Sequence, residues 1–240
     1  MKPGNLDVPP TGQLSTRDLA RGWLAWCRGN TGIGGKRLLE LLGFGRHPRV
    51  GDAEALGSYL VSRTDTVAAR VTVEYCRARS GLDWNQLTTA PGFLEALERC
   101  RWEAFAVLYP DVAETCQILL RHAGAPREAA GVGLAVVAAG ALLAHPVPLH
   151  RSSWNDVAVE LHGRLGRALL AAPHAVHLLG GPTVVRILEH IPYHPRIKTA
   201  DRDLIASRLR LGLCGIYAEL ERTGDLPTLV TLLQRHTTGM

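Results

Sequence analysis

The stretch TADRDLIASRLRLGLCGIYAELER, residues 199–222, decides the fold class. Leu204, Ile205, Leu209, Leu213, Ile216, Tyr217 and Leu220 recur at the helical period and form one apolar stripe. Gly224 stands where a helix of this length would be capped. Downstream, residues 226–234 read as a final helix with His236 beyond it. Upstream, Gly180-Gly181-Pro182 breaks the chain before a short helix reaching Ile191. Ser152 or Ser153 is placed to cap a helix that ends near Ala172-Pro173.

The next run outward is AAGVGLAVVAAGALLA, residues 129–144, which carries no charge. A membrane-spanning helix needs about 20 strongly apolar residues. This run has 16 and is rich in Ala and Gly. It reads as the central core helix of a bundle, begun at Ala125-Pro126, whose small residues permit close helix approach. That reading counts against a membrane partner.

Further helices are expected from an Asp52 cap to Val61, and from Asp65 or Thr66 to Arg79. Another should run from Pro91, with Phe93, Leu94, Leu97, Trp102, Phe105 and Leu108 on its apolar face. Pro110 should interrupt it, and a new helix should continue to His122. Val71-Thr72-Val73 and Thr183-Val184-Val185 are the only β-branched runs, and both fall in helical periodicity. The fold expected is therefore all-α, a multi-helix globular bundle. Residues 1–14 read as a flexible arm, 15–50 as a basic helix-turn-helix unit and 51–240 as a larger helical domain.

Charge is unevenly distributed. The chain carries a net +5. Residues 1–50 hold eight basic and three acidic groups, and the other 190 residues hold 19 of each. A localised basic field is what a polyanion partner would meet. The five cysteines lie far apart in apolar stretches, with no C-x-x-C pair, which suits free thiols in a reducing compartment. No apolar segment follows Met1-Lys2-Pro3, so the expected location is cytoplasmic.

The excess charge surrounds Thr31-Gly32-Ile33-Gly34-Gly35-Lys36-Arg37. Apolar residues flank this turn on both sides: Leu19, Trp23, Leu24 and Trp26 before it, Leu38, Leu39, Leu41 and Leu42 after it. Such a turn can aim backbone N–H groups at a phosphate, or simply connect two packed helices. Residues 19–43 resemble a helix-hairpin-helix DNA-binding motif, in which two short helices are joined by a Gly-hydrophobic-Gly hairpin. The resemblance implies that Ile33 packs inward and that Gly32, Gly34 and Gly35 bring backbone close to phosphate. Lys36 and Arg37 would then face that phosphate. The chain departs from the pattern at Thr31, where proline is common, and at Leu38, where a small residue is common.

Other chemistries find little support. A P-loop would need glycine at Asn30 and Ser or Thr at Arg37, and a G-x-G-x-x-G fingerprint would need glycine at Arg37. Eight histidines lie between His122 and His194, and Glu189-His190 adds a carboxylate, so an imidazole–carboxylate metal site is conceivable. However, Pro192 separates His190 from His194, and His174 and His177 share a face only if one helix spans both. There is no G-x-S-x-G elbow. Asp201, Asp203, Glu219 and Glu221 fit solvated helix faces, with Arg208 and Arg210 as their surface partners. Trp102 and Phe105 read as core.

The leading reading is a non-enzymatic helical protein that binds DNA or RNA backbone through Gly32–Arg37, with no cofactor and no metal. Its helical body would dock a protein partner or form a homo-oligomer. The alternative is a helical scaffold without a nucleic-acid role. The third is a metal-dependent enzyme built on the histidine-rich region 122–194.

Overall fold

A computed structural model of the chain describes residues 49–238. The arm, all but the last two residues of the basic 15–50 unit, and with it the turn at Gly32–Arg37, lie outside the described residues. Within them the fold is all-α, as the periodicity predicts. The only β-type pairing among the described residues is an isolated bridge between Val50 and Gly224. It ties the incoming chain to the turn between the last two helices, with Val50 N donating to Thr223 O and Asp225 N to Val50 O.

Helix α1, Ala53–Ala69, is capped by Asp52, whose side chain accepts from Ala55 N at 2.7 Å. No break occurs after Val61. The chain runs through a π turn, Arg70–Glu74, directly into α2, Tyr75–Ser80. Thr64, Thr66 and Thr72 each donate a hydroxyl to the carbonyl four residues back, so these polar residues stay inside the helix instead of capping a new one. A short α3, Trp84–Thr88, follows.

Helix α4, Pro91–His122, is 32 residues long. At 1.5 Å per residue it spans about 48 Å. Pro110 lies inside it and does not end it. A proline costs an interior helix about 3 kcal/mol. Here every residue from Phe105 to Leu120 is buried, so the packing of the whole middle of the helix opposes that local cost. Helices α1, α6, α7 and α9 all pack against α4.

The run at 129–144 forms a π turn, Ala129–Gly133, continuous with α5, Leu134–Leu143. No described helix is long and apolar enough to cross a membrane. Helix α6, Asn155–Ala168, starts later and ends earlier than the sequence suggests. Trp154 occupies its N-cap position, and Ser153 Oγ only accepts from Asn155 N at 3.3 Å. Helix α7, Gly181–His190, begins at the expected glycine break, where Gly180 has φ 84°.

The 199–222 helix is divided. Short α8, Pro195–Ala200, is separated from α9, Arg202–Thr223, at Asp201. Asp201 is not on a solvated face: it accepts from Tyr75 Oη at 2.7 Å and pairs with Arg79. Glu219 likewise turns inward, to Arg63 and Tyr59. Gly224 caps α9 with extended backbone rather than left-handed geometry. Helix α10, Leu226–Thr238, closes the described chain.

Two glycines allow close packing around α5. A Cβ on Gly133 would lie 2.3 Å from the Leu233 carbonyl oxygen, and one on Gly57 would lie 2.7 Å from Ala141 Cβ. Gly166 on α6, by contrast, faces open space. Gly133→Ala should therefore destabilise the protein by about 1–3 kcal/mol, whereas Gly166→Ala should stabilise it by about 0.5–1 kcal/mol. Urea unfolding checks both, and equal effects of the same sign would contradict the packing described.

Candidate functional site

The histidine-rich region does not converge. His122 meets Tyr217, His150 meets Glu103, His162 bonds the Ala158 carbonyl, and His174 approaches Glu114. His194 caps α8 through Arg196 N. His174 lies in a loop and His177 in a 3₁₀ turn, so no helix carries both. Among the described residues no group of three or more His, Cys, Asp or Glu side chains is placed to hold a metal ion. Cys76, Cys100 and Cys116 are buried free thiols, and burial pushes Cys116 up to about 12. Gly32, Ile33, Gly34, Gly35, Lys36 and Arg37 lie outside the described residues.

Two arrangements were not foreseen. The first is a polar face on α4. Asp111 and Glu114 both contact Arg164 of α6, with Glu114 Oε2 accepting from Arg164 Nε at 2.5 Å. Gln117 Nε2 donates to the carbonyls of Ala130 and Leu165, and Arg121 donates to those of Ala168 and Ala171. Asp111 is fully buried, and that burial pushes its carboxyl above the usual range while Arg164 opposes the rise. The spacing 111, 114, 117, 121 places these residues on one helical face. The helix expected from Pro110 to His122 already carries this face; its partner Arg164 is distant in sequence. This network holds α6 and the following loop against α4.

The second is a groove of about 560 Å³ between α1 and α5. Ala53, Gly57 and Val61 line it from α1, and Val136, Gly140 and Ala141 from α5. Glu54 is the one formally charged residue in its lining. Beside it α5 and its π turn present an exposed apolar row: Val132 is 48% and Leu143 51% exposed, with Gly140 between them. A helix apolar on every side has no polar face to turn outward, and this one leaves part of its apolar surface uncovered.

His145 closes the groove lining at the end of α5. Its ring stacks on Phe105, with centroids 5.1 Å apart, and lies near Trp102 and Trp154. The Trp154 indole donates to the His145 carbonyl at 3.1 Å. His145 Nε2 is buried without a hydrogen-bond partner. Burial lowers the His145 pKa below its ordinary value, favouring the neutral ring. A second, smaller cavity of about 230 Å³ lies beside Gly180 and Gly181, where Arg202 and Arg210 face it together with Asp203.

No family model matches the chain, and no curated protein or solved structure is detectably similar to it. Functional reading therefore rests on the residues themselves.

A histidine whose folded pKa is depressed contributes stability above its unfolded value, about 6.5, and loses it as pH falls. Acidification from about pH 7.5 to about pH 5 should thus destabilise the wild type. His145→Gln should shrink that acid-side loss, read by tryptophan-monitored urea unfolding. An unchanged loss would remove His145 as its source.

Proposed function

We propose that this chain is a non-enzymatic helical binding protein whose body docks an amphipathic helix of a protein partner in the α1/α5 groove. The observation that carries this reading is the groove itself: apolar, floored by small residues and flanked by exposed valine and leucine side chains. Helix-in-groove recognition uses such surfaces, in which apolar side chains at i, i+3 and i+4 enter a hydrophobic cleft. Gly140, with nothing within 4 Å of the position its Cβ would take, leaves room for them.

A fluorescein-labelled amphipathic Leu/Glu/Lys model helix is the probe. It should bind the wild type, and Gly140→Trp, which fills open space, should weaken binding by about tenfold or more. Leu211→Glu, on the exposed face of α9, should leave binding unchanged. Absence of binding, or indifference to Gly140→Trp, counts against the groove.

A second reading, compatible with the first, is contact between the Gly32–Arg37 turn and nucleic-acid backbone. What favours it is the segregation of charge: the whole excess sits within residues 1–50, around a turn resembling a helix-hairpin-helix. Phosphate contacts give affinity that weakens with salt and carries little sequence readout. Fluorescence anisotropy with single- and double-stranded oligonucleotides should show salt-sensitive binding that Lys36→Ala/Arg37→Ala abolishes. A double variant that binds as tightly as wild type would make the turn a connector.

A further inference from the structure

We infer that the cavity beside Gly180 and Gly181 is an anion site that takes a phosphate monoester group; this is independent of the α1/α5 groove. What carries it is a pair of free guanidinium groups facing one partly enclosed space. Arg202 and Arg210 both line the cavity, whose volume is about 230 Å³. Among the described residues neither side chain forms a hydrogen bond or ion pair. Asp201, the acid next to Arg202, is taken by Tyr75 and Arg79. Asp203 lines the same cavity and pairs with neither arginine. The surface ion pair expected for Arg210 is therefore not formed.

The helix geometry explains why the two arginines share a cavity. Positions 202, 206 and 210 lie on one face of α9, and the small Ala206 between the arginines is also in the lining. Eight residues of helix set their Cα atoms about 12 Å apart, a span that two long side chains can close from both ends. The start of α7 stands beside this face. Gly180 has φ 84°, and a Cβ there would lie 2.7 Å from Leu209 Cδ2, so glycine lets α7 begin in contact with α9. No side chain caps α7, and nothing lies within 4 Å of the position a Cβ on Gly181 would take.

Positive charge thus borders the cavity from three directions: two guanidinium groups and the positive end of the α7 dipole. A phosphate monoester offers three acceptor oxygens and a charge of about −1.5 to −2. That set suits two forked guanidinium groups better than a carboxylate, which has two oxygens and one charge. The volume is several times the roughly 30 Å³ of one water, so part of the molecule that bears the phosphate fits with it. The Asp203 carboxylate repels an anion here and holds the affinity down.

Isothermal titration calorimetry of the full chain with inorganic phosphate at low ionic strength tests this. Wild type should bind saturably. Arg202→Gln and Arg210→Gln should each raise Kd by about tenfold or more, with helical circular dichroism unchanged, and Asp203→Asn should lower it. Arg208→Gln removes the same charge from α9 outside the cavity lining and should leave Kd unchanged. Binding should persist in Lys36→Ala/Arg37→Ala. No saturable binding, or equal weakening by Arg208→Gln, overturns the inference. Binding lost in Lys36→Ala/Arg37→Ala but kept in Arg202→Gln/Arg210→Gln also overturns it, by placing the phosphate at the turn. Sedimentation with phosphatidylcholine vesicles, with and without phosphatidic acid, separates two sources of the group. Pelleting that needs phosphatidic acid, Arg202 and Arg210 assigns a lipid headgroup; phosphate binding without pelleting assigns a soluble phosphate ester. Either result upholds the site.

Discussion

The structure depends on the burial of the middle of α4. A helix enclosed from Phe105 to Leu120 cannot send its polar side chains to water, so each must find a partner inside the protein. Arg164 answers Asp111 and Glu114, and backbone carbonyls of the π turn and of α6 answer Gln117. Arg121, at the far end of the same face, takes the carbonyl of Ala168 at the C-terminus of α6 and that of Ala171 in the loop beyond it. These bonds fix the register of α6 on α4. Breaking such a pair by removing one partner leaves a buried charge uncompensated, which is far more costly than losing a surface ion pair.

With α4 covered by α1, α6, α7 and α9, the small-residue helix α5 is held mainly through α1, α6 and the neighbouring π turn. Its glycines and alanines bring it close to α1 and α10, as the space around Gly57 and Gly133 shows. Small side chains also fill little volume. The gap between α1 and α5 at the surface is the consequence, and α5 has no polar residue to present there. The same composition that permits close approach of α1 and α5 at Gly57 thus leaves an apolar groove beside that contact.

Much of the architecture was legible. The 3.6-residue stripe of Ile205, Leu209, Leu213, Ile216 and Leu220 forms the buried face of α9. Asp52 caps α1 through Ala55 N, as its position before an apolar run suggests. Trp102 and Phe105 join an aromatic cluster with Trp154, although His145 at its centre was read only as one of many histidines. The errors share a cause. Pro110, Asp65 and Thr66 are local breakers or caps by propensity, and tertiary packing overrides a local preference of a few kcal/mol. Asp201 and Glu219 looked solvated because their partners, Tyr75, Arg79 and Arg63, lie more than a hundred residues away in sequence.

The sequence by itself determined that the chain is helical, where most of its apolar faces lie, and that its excess positive charge belongs to residues 1–50. Those properties follow from periodicity and composition, which are local. Tertiary structure alone decided that α4 runs unbroken through Pro110, that its polar face is answered by α6, and that α1 and α5 leave a groove between them. Each of these depends on which helices meet, and that is set by the summed packing of side chains distant in sequence rather than by any one segment.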